Sequence, residues 1–523
     1  MQNPQLPGGL SPSRLSFFLK LCMFATGAAA MATEYTLATL ASYLQGNAIL
    51  QWTVVISLML FAMGVGSRFS RSLEDRLLDV YAATELALSL LCAVSALFCF
   101  WASSFIQPSG WAVYLMAFGI GFLIGLEIPL VARINDRFES LRMNISSVME
   151  YDYYGALVGG ALFAFVFLPV LGLTYTPMIL GAANWLAAGL ILFPFADLLK
   201  RSALLKGCFV LSGLLIALAA AFAKPIILYG EQHKYKDKIV YEEQTQYQKI
   251  IVTQWKDDFW LFLNGGVQFS TFDEERYHEP LVHPALALLK ERDHILLLGG
   301  GDGLAAREIL KYADVKTLTL VDLDPAMTKL ASDNPIFTRV NKDALKDPRV
   351  TVVNEDAYQF IQNTQRMYNA IIVDLPDPKT VSLSLLYTQG FYTVAKRQLA
   401  PFGVLITQSS SPLYSREAFL CIKKTMEAAG FSVVPYQNSI PTMGRWGWNL
   451  GVSSGWLDAG ALKTRLNEQN FNTAPTRFLN RDAMISMTHF GKGVFDDEAD
   501  IEVNTRFNHV LMKYYRRGDW EVY

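Results

Sequence analysis

HILLLGGGDGLAAREILKY occupies residues 294–312, and TLTLVDLD (317–324), VTVVNEDA (350–357) and NAIIVDLPDP (369–378) follow it. An apolar strand, Ile295 to Leu298, runs into Gly299, Gly300, Gly301, Asp302 and Gly303, and a helix-like AAREILKY comes next. Glycines at such a junction let the backbone turn sharply and approach a ligand closely. The second strand ends at Asp322, twenty residues after Asp302, where a Rossmann-type fold sets an acid against ribose hydroxyls. Two further strand ends bring Asp356, then Asp374 and Asp377. Four strand ends thus offer acids to one crevice, which suits a nucleoside ligand carrying positive charge. The glycine loop alone, common to dehydrogenases, methyltransferases and other Rossmann folds, names no cofactor.

Working outward toward the N-terminus, apolar runs fall near 21–44, 48–66, 82–105, 112–132, 154–173, 177–195 and 204–223. Each is about 20 residues, the length that crosses the hydrocarbon core as a helix. Charges almost vanish inside them, which argues against buried helices of a large soluble domain. The first run is too long for a signal peptide, and more spans follow it. Lys and Arg gather around 14–20, 68–76, 133–142 and 200–206, while the short loops between carry none. That pattern puts alternate loops and the N-terminus in the cytoplasm. Seven spans would then place the soluble part outside, yet Lys224, Lys234, Lys236 and Lys238 flank the far side of the last span. The expected location is the cell (inner) membrane. The side facing the soluble part stays open, with the cytoplasm favoured on substrate supply. Glu34 and Glu127 lie within spans, and Glu150 and Asp152 sit at the mouth of the fifth. Such carboxylates either mark a path for cations or are inward-facing groups bonded to a neighbouring helix.

Composition agrees with a two-part chain. Hydrophobic residues make up 52% and charged ones 18% of 523, with the charges concentrated after Lys224. A net charge of −2 gives no reason to expect nucleic acid as a partner. Of the five cysteines, four sit in apolar spans and none forms a CxxC pair, so neither a disulfide framework nor a metal site is expected. Between 237 and about 275, KIVYEEQT, QKIIVTQW, FWLFLNG and VQFST alternate in strand fashion around turns at 256–258 and 264–266. After Pro280, helical and strand segments alternate, which implies a parallel sheet with helices on both faces and ligands at its carboxyl ends. The expected architecture is a multi-pass α-helical membrane domain (1–230), a small antiparallel β lobe (237–280), and an α/β Rossmann-like, methyltransferase-type domain with a C-terminal extension (281–523). Lys224–Lys238 reads as the linker.

YQKIIVTQWKDDFWLFLNGGVQFSTFDEERYHEPLVHPAL (247–286), joined to GGGDG and DLPDP, resembles the spermidine synthase family of polyamine aminopropyltransferases. The likeness continues through LLYTQGFYTVAKRQLAPFGVLITQSSSP (385–412) and PTMGRWGW (441–448), covering roughly 237–490 in the family's order. It implies transfer of an aminopropyl group from decarboxylated S-adenosylmethionine to an amine such as putrescine, giving spermidine and methylthioadenosine. The sulfonium makes the adjacent carbon electrophilic, so no metal or redox cofactor is expected. An alkylammonium, with a pKa near ~10, has no lone pair to attack with. Such a site must hold two cations together and take a proton from one; carboxylates do both.

The resemblance assigns roles residue by residue. Asp374, first acid of DLPDP, is similar to the family's catalytic base, and Asp377 to a ligand for a substrate amino group. Asp302 takes the place of the holder of the aminopropyl ammonium. Asp322 stands for the ribose acid, usually Glu, and Asp356 with Ala357 for the adenine-side contact, where Gly is common. Gln248 and Gln268 match the two glutamines at the nucleoside end, and Tyr277 and His278 look like amine-site residues. Departures cluster on the acceptor side: Leu375 and Pro376 replace small residues, KTVSLS (379–384) replaces a Gly-Pro-rich loop, and QSSSP lacks an acid. An amine other than putrescine stays open as acceptor, as does homo-oligomerisation. Two rival readings remain: an S-adenosylmethionine-dependent methyltransferase, and a non-catalytic polyamine-binding membrane sensor or transporter.

Overall fold

The computed structural model describes residues 12–45, 48–105, 110–136, 141–245 and 247–520. The chain divides into two compact units, Met1–Lys236 and Asp237–Tyr523. Part of the basic stretch 133–142 lies outside the described residues.

The first unit is helical: α1 (Pro12–Gln45), α2 (Ala48–Phe69), α3 (Leu77–Phe105), α4 (Gly110–Asn135), α5 (Leu141–Leu162), α6 (Gly172–Leu192) and α7 (Ser202–Lys234). Six helical stretches are long and apolar enough to cross a membrane, among the described residues. One of them, Arg142–Leu192, spans 51 residues and contains two of the expected runs. It breaks at Gly172, whose φ of 63° is closed to most side chains. There Thr176 Oγ1 donates to the Phe167 and Gly172 carbonyls, at 3.2 and 2.6 Å. The apolar run 154–173 occupies only the end of α5 and a π-helical segment, Phe163–Leu171. Helix α5 begins earlier, through the polar LRMNISSVMEYD, because hydropathy marks apolarity and helices extend beyond it.

Close backbone approach holds this unit together. On α5, Gly155 and Gly159 face α1, where an added Cβ would run into the Phe24 and Ala28 carbonyls. On α4, Gly121 and Gly125 face α2 at Met59 and Met63 in the same way. Glycines four apart on one face let two helices pack backbone to backbone. The segment read as a linker is mostly helix: α7 passes through Pro225 and ends at Lys234. The apolar run is interrupted at Lys224-Pro225, but the chain stays helical through IILY and the polar GEQHK that closes the helix.

The second unit opens with an antiparallel sheet in the order β1 (Lys238–Gln244), β2 (Lys249–Trp255), β3 (Asp258–Leu263), β4 (Gly266–Ser270). Its β3–β4 turn is Asn264-Gly265, both at positive φ (49° and 80°), the dipeptide that fits a tight hairpin. Helix α8 (Glu275–Ala287) follows. The large sheet runs β10-β11-β9-β8-β5-β6-β7, comprising β5 (His294–Gly299), β6 (Thr317–Val321), β7 (Val350–Val353), β8 (Tyr368–Asp374), β9 (Leu399–Gln408), β10 (Phe431–Ile440) and β11 (Gly444–Ser453). Five strands, β9-β8-β5-β6-β7, are parallel. The expected all-parallel sheet is corrected at one edge, where the β10–β11 hairpin adds antiparallel to β9.

Strand β5 shows why a continuous apolar run belongs in the middle. Leu296 and Leu298 join the core on one face, Ile295 and Leu297 the core on the other, and all four are fully buried. The small sheet has no separate core: Ile250, Val252, Phe259, Leu261 and Phe269 pack into the cluster that holds Ile295 and Leu297.

Candidate active site

At the carboxyl ends of β5, β6 and β8 lies a cavity of ≈ 410 Å³, lined also by residues of β3 and β4 and by Tyr247 and Gln248 just before β2. All ten residues singled out from sequence line it: Gln248, Gln268, Tyr277, His278, Asp302, Asp322, Asp356, Ala357, Asp374 and Asp377. With Asp324 there are six aspartates around the cavity, against one lysine, Lys379. A pocket this acidic favours cations.

The glycine loop makes the acids converge. Gly299, Gly300 and Gly303 have φ of 81°, 68° and 82°, conformations open to glycine. A Cβ on Gly299 would strike the Asp374 carbonyl, and one on Gly301 would lie 2.5 Å from Asp322 Oδ2. Gly299 is paired with Asp374 in the β5–β8 ladder, so loop and acid share one rigid edge. Asp322 is held by two backbone donors, Gly301 N–H to Oδ2 (3.0 Å) and Asp324 N–H to Oδ1 (2.9 Å). Asp302 accepts from Leu304 N–H at 2.8 Å. Asp356 caps the helix Ala357–Asn363 by accepting from Gln359 N–H at 2.9 Å.

Asp374 Oδ1 receives the Tyr277 hydroxyl at 2.6 Å. Its neighbour Asp377 receives the Tyr515 hydroxyl on Oδ2 at 3.0 Å, and its Oδ1 has no hydrogen-bond partner among the described residues. His278 stands on α8 one turn beyond Glu274; its Nδ1 lies 2.9 Å from the Glu274 carbonyl and 3.1 Å from its carboxylate. Arg307 grips the same carboxylate with two hydrogen bonds, 3.0 and 2.8 Å, and Arg477 adds a third.

Burial decides the protonation pattern. It raises Asp302, Asp374 and Asp377 above the ordinary carboxylate range, against the pull of His278 on the first two and of Lys379 on the third. Burial also pushes Asp322 up to about 6, in spite of its backbone donors. For Glu274, burial would raise the carboxyl, but the bonds and charges of His278 and Arg307 bring it down to about 2. Burial would lower His278; Glu274, with Asp302 and Asp374 behind it, carries the imidazole up to about 9. The cavity therefore sets an imidazole carried toward its charged form beside carboxyls that burial raises above their ordinary range.

Several cavity and support residues escaped the sequence reading. Asp324, whose Oδ2 accepts from Gln248 Nε2 (3.0 Å) and Thr245 Oγ1 (2.8 Å), fixes one of the two glutamines. Its signal was present, an acid before Pro325 at a helix start, and its side chain does cap the helix Pro325–Asp333. Glu274 was legible as the residue one helical turn before His278. Lys379, Met443 and Trp446 line the cavity within stretches quoted above, but carry no polar pattern that marks them. Tyr515 reaches Asp377 from 138 residues away, and no local pattern announces that.

Comparison with known proteins adds independent weight. Residues 274–459 match the model of the Spermine/spermidine synthase domain. Polyamine aminopropyltransferase 2 of Aquifex aeolicus is 42% identical over 504 residues, 96% of this chain and 99% of that protein. Polyamine aminopropyltransferase of Leptospira interrogans is 37% identical over 489 residues, 93% and 95% of the two chains. Among solved structures, spermidine synthase from Thermotoga maritima is similar with a TM-score of 0.45 and 23% identity, covering 50% of this chain and 88% of that one. Alignments of such length take in the helical unit as well as the cavity. On this full-length similarity, the chain belongs to the polyamine aminopropyltransferase family.

Proposed function

We propose that the cavity transfers the aminopropyl group of decarboxylated S-adenosylmethionine to a diamine, with putrescine as the default acceptor, and that Asp374 is the general base. The observation that carries this reading is Asp374 itself: a buried acid at a strand end, held by Tyr277 at 2.6 Å amid five other aspartates. The acceptor nitrogen attacks the carbon next to sulfur, the C–S bond breaks, sulfur keeps the electron pair, and methylthioadenosine leaves neutral. The displaced ammonium proton passes to Asp374. A carboxyl raised by burial has a pKa nearer the operating pH and serves better as base. Asp302 holds the aminopropyl ammonium, Asp322 the ribose, Asp356 and Ala357 the adenine side, and Gln248 and Gln268 the nucleoside end. Tyr277 and His278 face the amines, and Asp377 takes the acceptor's far ammonium. Alignment of the two substrates supplies much of the acceleration, up to about 7–11 kcal/mol. Since the sulfonium is its own activated leaving group, the transfer as written uses no metal or redox cofactor.

The helical unit, in this proposal, spans the cell membrane, with six apolar helical stretches of sufficient length in support. The soluble unit faces the cytoplasm, where its substrates are made. Partition of full-length protein into the membrane fraction, resistant to carbonate washing, checks the first point.

Purified full-length protein in detergent, given decarboxylated S-adenosylmethionine and a panel of amines, should release methylthioadenosine and an aminopropylated amine. Asp374→Asn keeps the size of the side chain but cannot accept the proton, so turnover should drop roughly 10²–10⁴-fold. Near-normal turnover in that variant would remove Asp374 from the role of base.

A further inference from the structure

The residues beyond 459, outside the match to the synthase domain, reach back to the acceptor end of the cavity. Helix Val510–Arg516 puts the Tyr515 hydroxyl on Asp377 Oδ2 at 3.0 Å. Tyr515 is 7% exposed, its ring lies on Trp520 at 4.7 Å between centroids, and the Trp520 indole donates to its carbonyl at 2.8 Å. The tyrosine is therefore fixed from behind. Upstream, fully buried Asn504 donates through Nδ2 to the Ser384 and Tyr387 carbonyls (2.9 and 3.1 Å), and its own carbonyl accepts from Gln389 N–H (2.9 Å). Tyr387 in turn donates to the Leu375 carbonyl at 2.9 Å, next to the catalytic acid. The loop after β8, which carries Lys379, Thr380, Leu383 and Leu386 into the cavity, is thus pinned by one short C-terminal segment.

We infer that the C-terminal segment is a working part of the acceptor site, with Tyr515 the positioning residue that sets Asp377 for the far ammonium of a diamine. This rests on the aminopropyltransferase reading above. Asp377 has two oxygens: Tyr515 occupies Oδ2, and Oδ1 is buried with no hydrogen-bond partner among the described residues, although the Gln408 and Ser410 side chains lie close to the carboxyl. A buried carboxylate oxygen left unpaired is costly, and a primary ammonium, with three donors and a positive charge, satisfies it. The hydroxyl stops the carboxylate from turning, so Oδ1 sits at one fixed distance from Asp374. That distance selects the diamine by length. The loop that differs most from the synthase pattern, KTVSLS, is the loop this segment braces, which ties the two departures together.

The test is calorimetric and kinetic on full-length protein. Putrescine is titrated into wild type saturated with methylthioadenosine, and into Tyr515→Phe, Asp377→Asn and the double variant. Phenylalanine keeps the ring on Trp520, and an unchanged melting temperature checks the fold. Loss of one hydrogen bond to a charged group should weaken putrescine roughly 5–30-fold in Tyr515→Phe. The KM for putrescine should rise by a similar factor, with kcat changed less than about threefold and methylthioadenosine affinity unchanged. Preference among 1,3-diaminopropane, putrescine and cadaverine should flatten. In the Asp377→Asn background, Tyr515→Phe should add nothing. Putrescine binding unchanged in Tyr515→Phe, an equal loss of methylthioadenosine, or additive effects in the double variant would each overturn the inference while leaving the transferase reading intact. Failure of wild type to aminopropylate any amine would overturn both.

Discussion

Asp322 carries two opposite consequences of one environment. Burial lifts its pKa to about 6, so the carboxylate that accepts ribose hydroxyls in the proposed reaction is present above that pH and disappears below it. Methylthioadenosine is neutral, and its binding should not depend on the acids that face the sulfonium and the amines. Its affinity should therefore be flat above about pH 7 and fall by up to tenfold per unit as pH drops below about 6. Asp322→Asn should bind more weakly at pH 7.5 and show little change between pH 5 and 7.5. An unaltered pH dependence in that variant assigns the titration elsewhere. For stability the sign reverses. A carboxylate whose folded pKa lies above its unfolded value costs stability once ionised, here about 3 kcal/mol for a shift from 3.8 to about 6; the cost is absent below about pH 4, where both states are protonated. His278 behaves conversely. Its ion pair with Glu274 stabilises fully below the unfolded value of 6.5 and fades as pH rises through about 9.

Among the elements, the helical unit depends on a few positions without side chains. Gly155 and Gly159 let α5 lie against α1, and Gly121 and Gly125 let α4 lie against α2. Gly159→Ala should force the helices apart and cost about 1–3 kcal/mol, as overpacking does. Gly64 on α2 has nothing within 4 Å of its missing Cβ, so Gly64→Ala should be neutral or stabilising by up to ~1 kcal/mol. Melting of the purified protein in detergent compares the two; equal shifts would deny the glycine contact its structural role. Sequence made some elements far more legible than others. The β5 glycine loop and the strand-ending acids were readable because each signal lies within a few residues of its consequence. The β10–β11 hairpin was not, since PTMGRWGW reads as a motif, β10 carries Pro435, and the Gly- and Trp-rich β11 alternates poorly. Helix α7 hid its last turns because Lys224, Pro225 and the closing GEQHK resemble a linker, whereas proline is accommodated within the helix.

For the whole molecule, the apolar clusters separate cleanly. Among the described residues, those of the helical unit draw on positions up to Ile227, and those of the second unit begin at Tyr241. A fragment starting near Lys234 should thus be soluble, fold with both sheets, and bind methylthioadenosine within about threefold of the full-length protein. Aggregation of the fragment under every condition, with full-length protein well behaved in detergent, would mean that the units complete each other's cores. The cavity was legible at this scale because four strand ends of a parallel sheet must open to one side. The C-terminal contribution was not, since the chain returns to Asp377 only after 138 residues.

The pairing of Gly299 with Asp374 inside the sheet has a bearing on how such an enzyme can diversify. In the proposed reaction the base belongs to the ladder, while Asp377 lies on the loop beyond it and Tyr515, which holds Asp377, on a distant C-terminal helix. Substitutions can accumulate in KTVSLS or around Tyr515 without shifting the proton acceptor. A lineage built this way is free to change the amine it accepts while inheriting the same reaction.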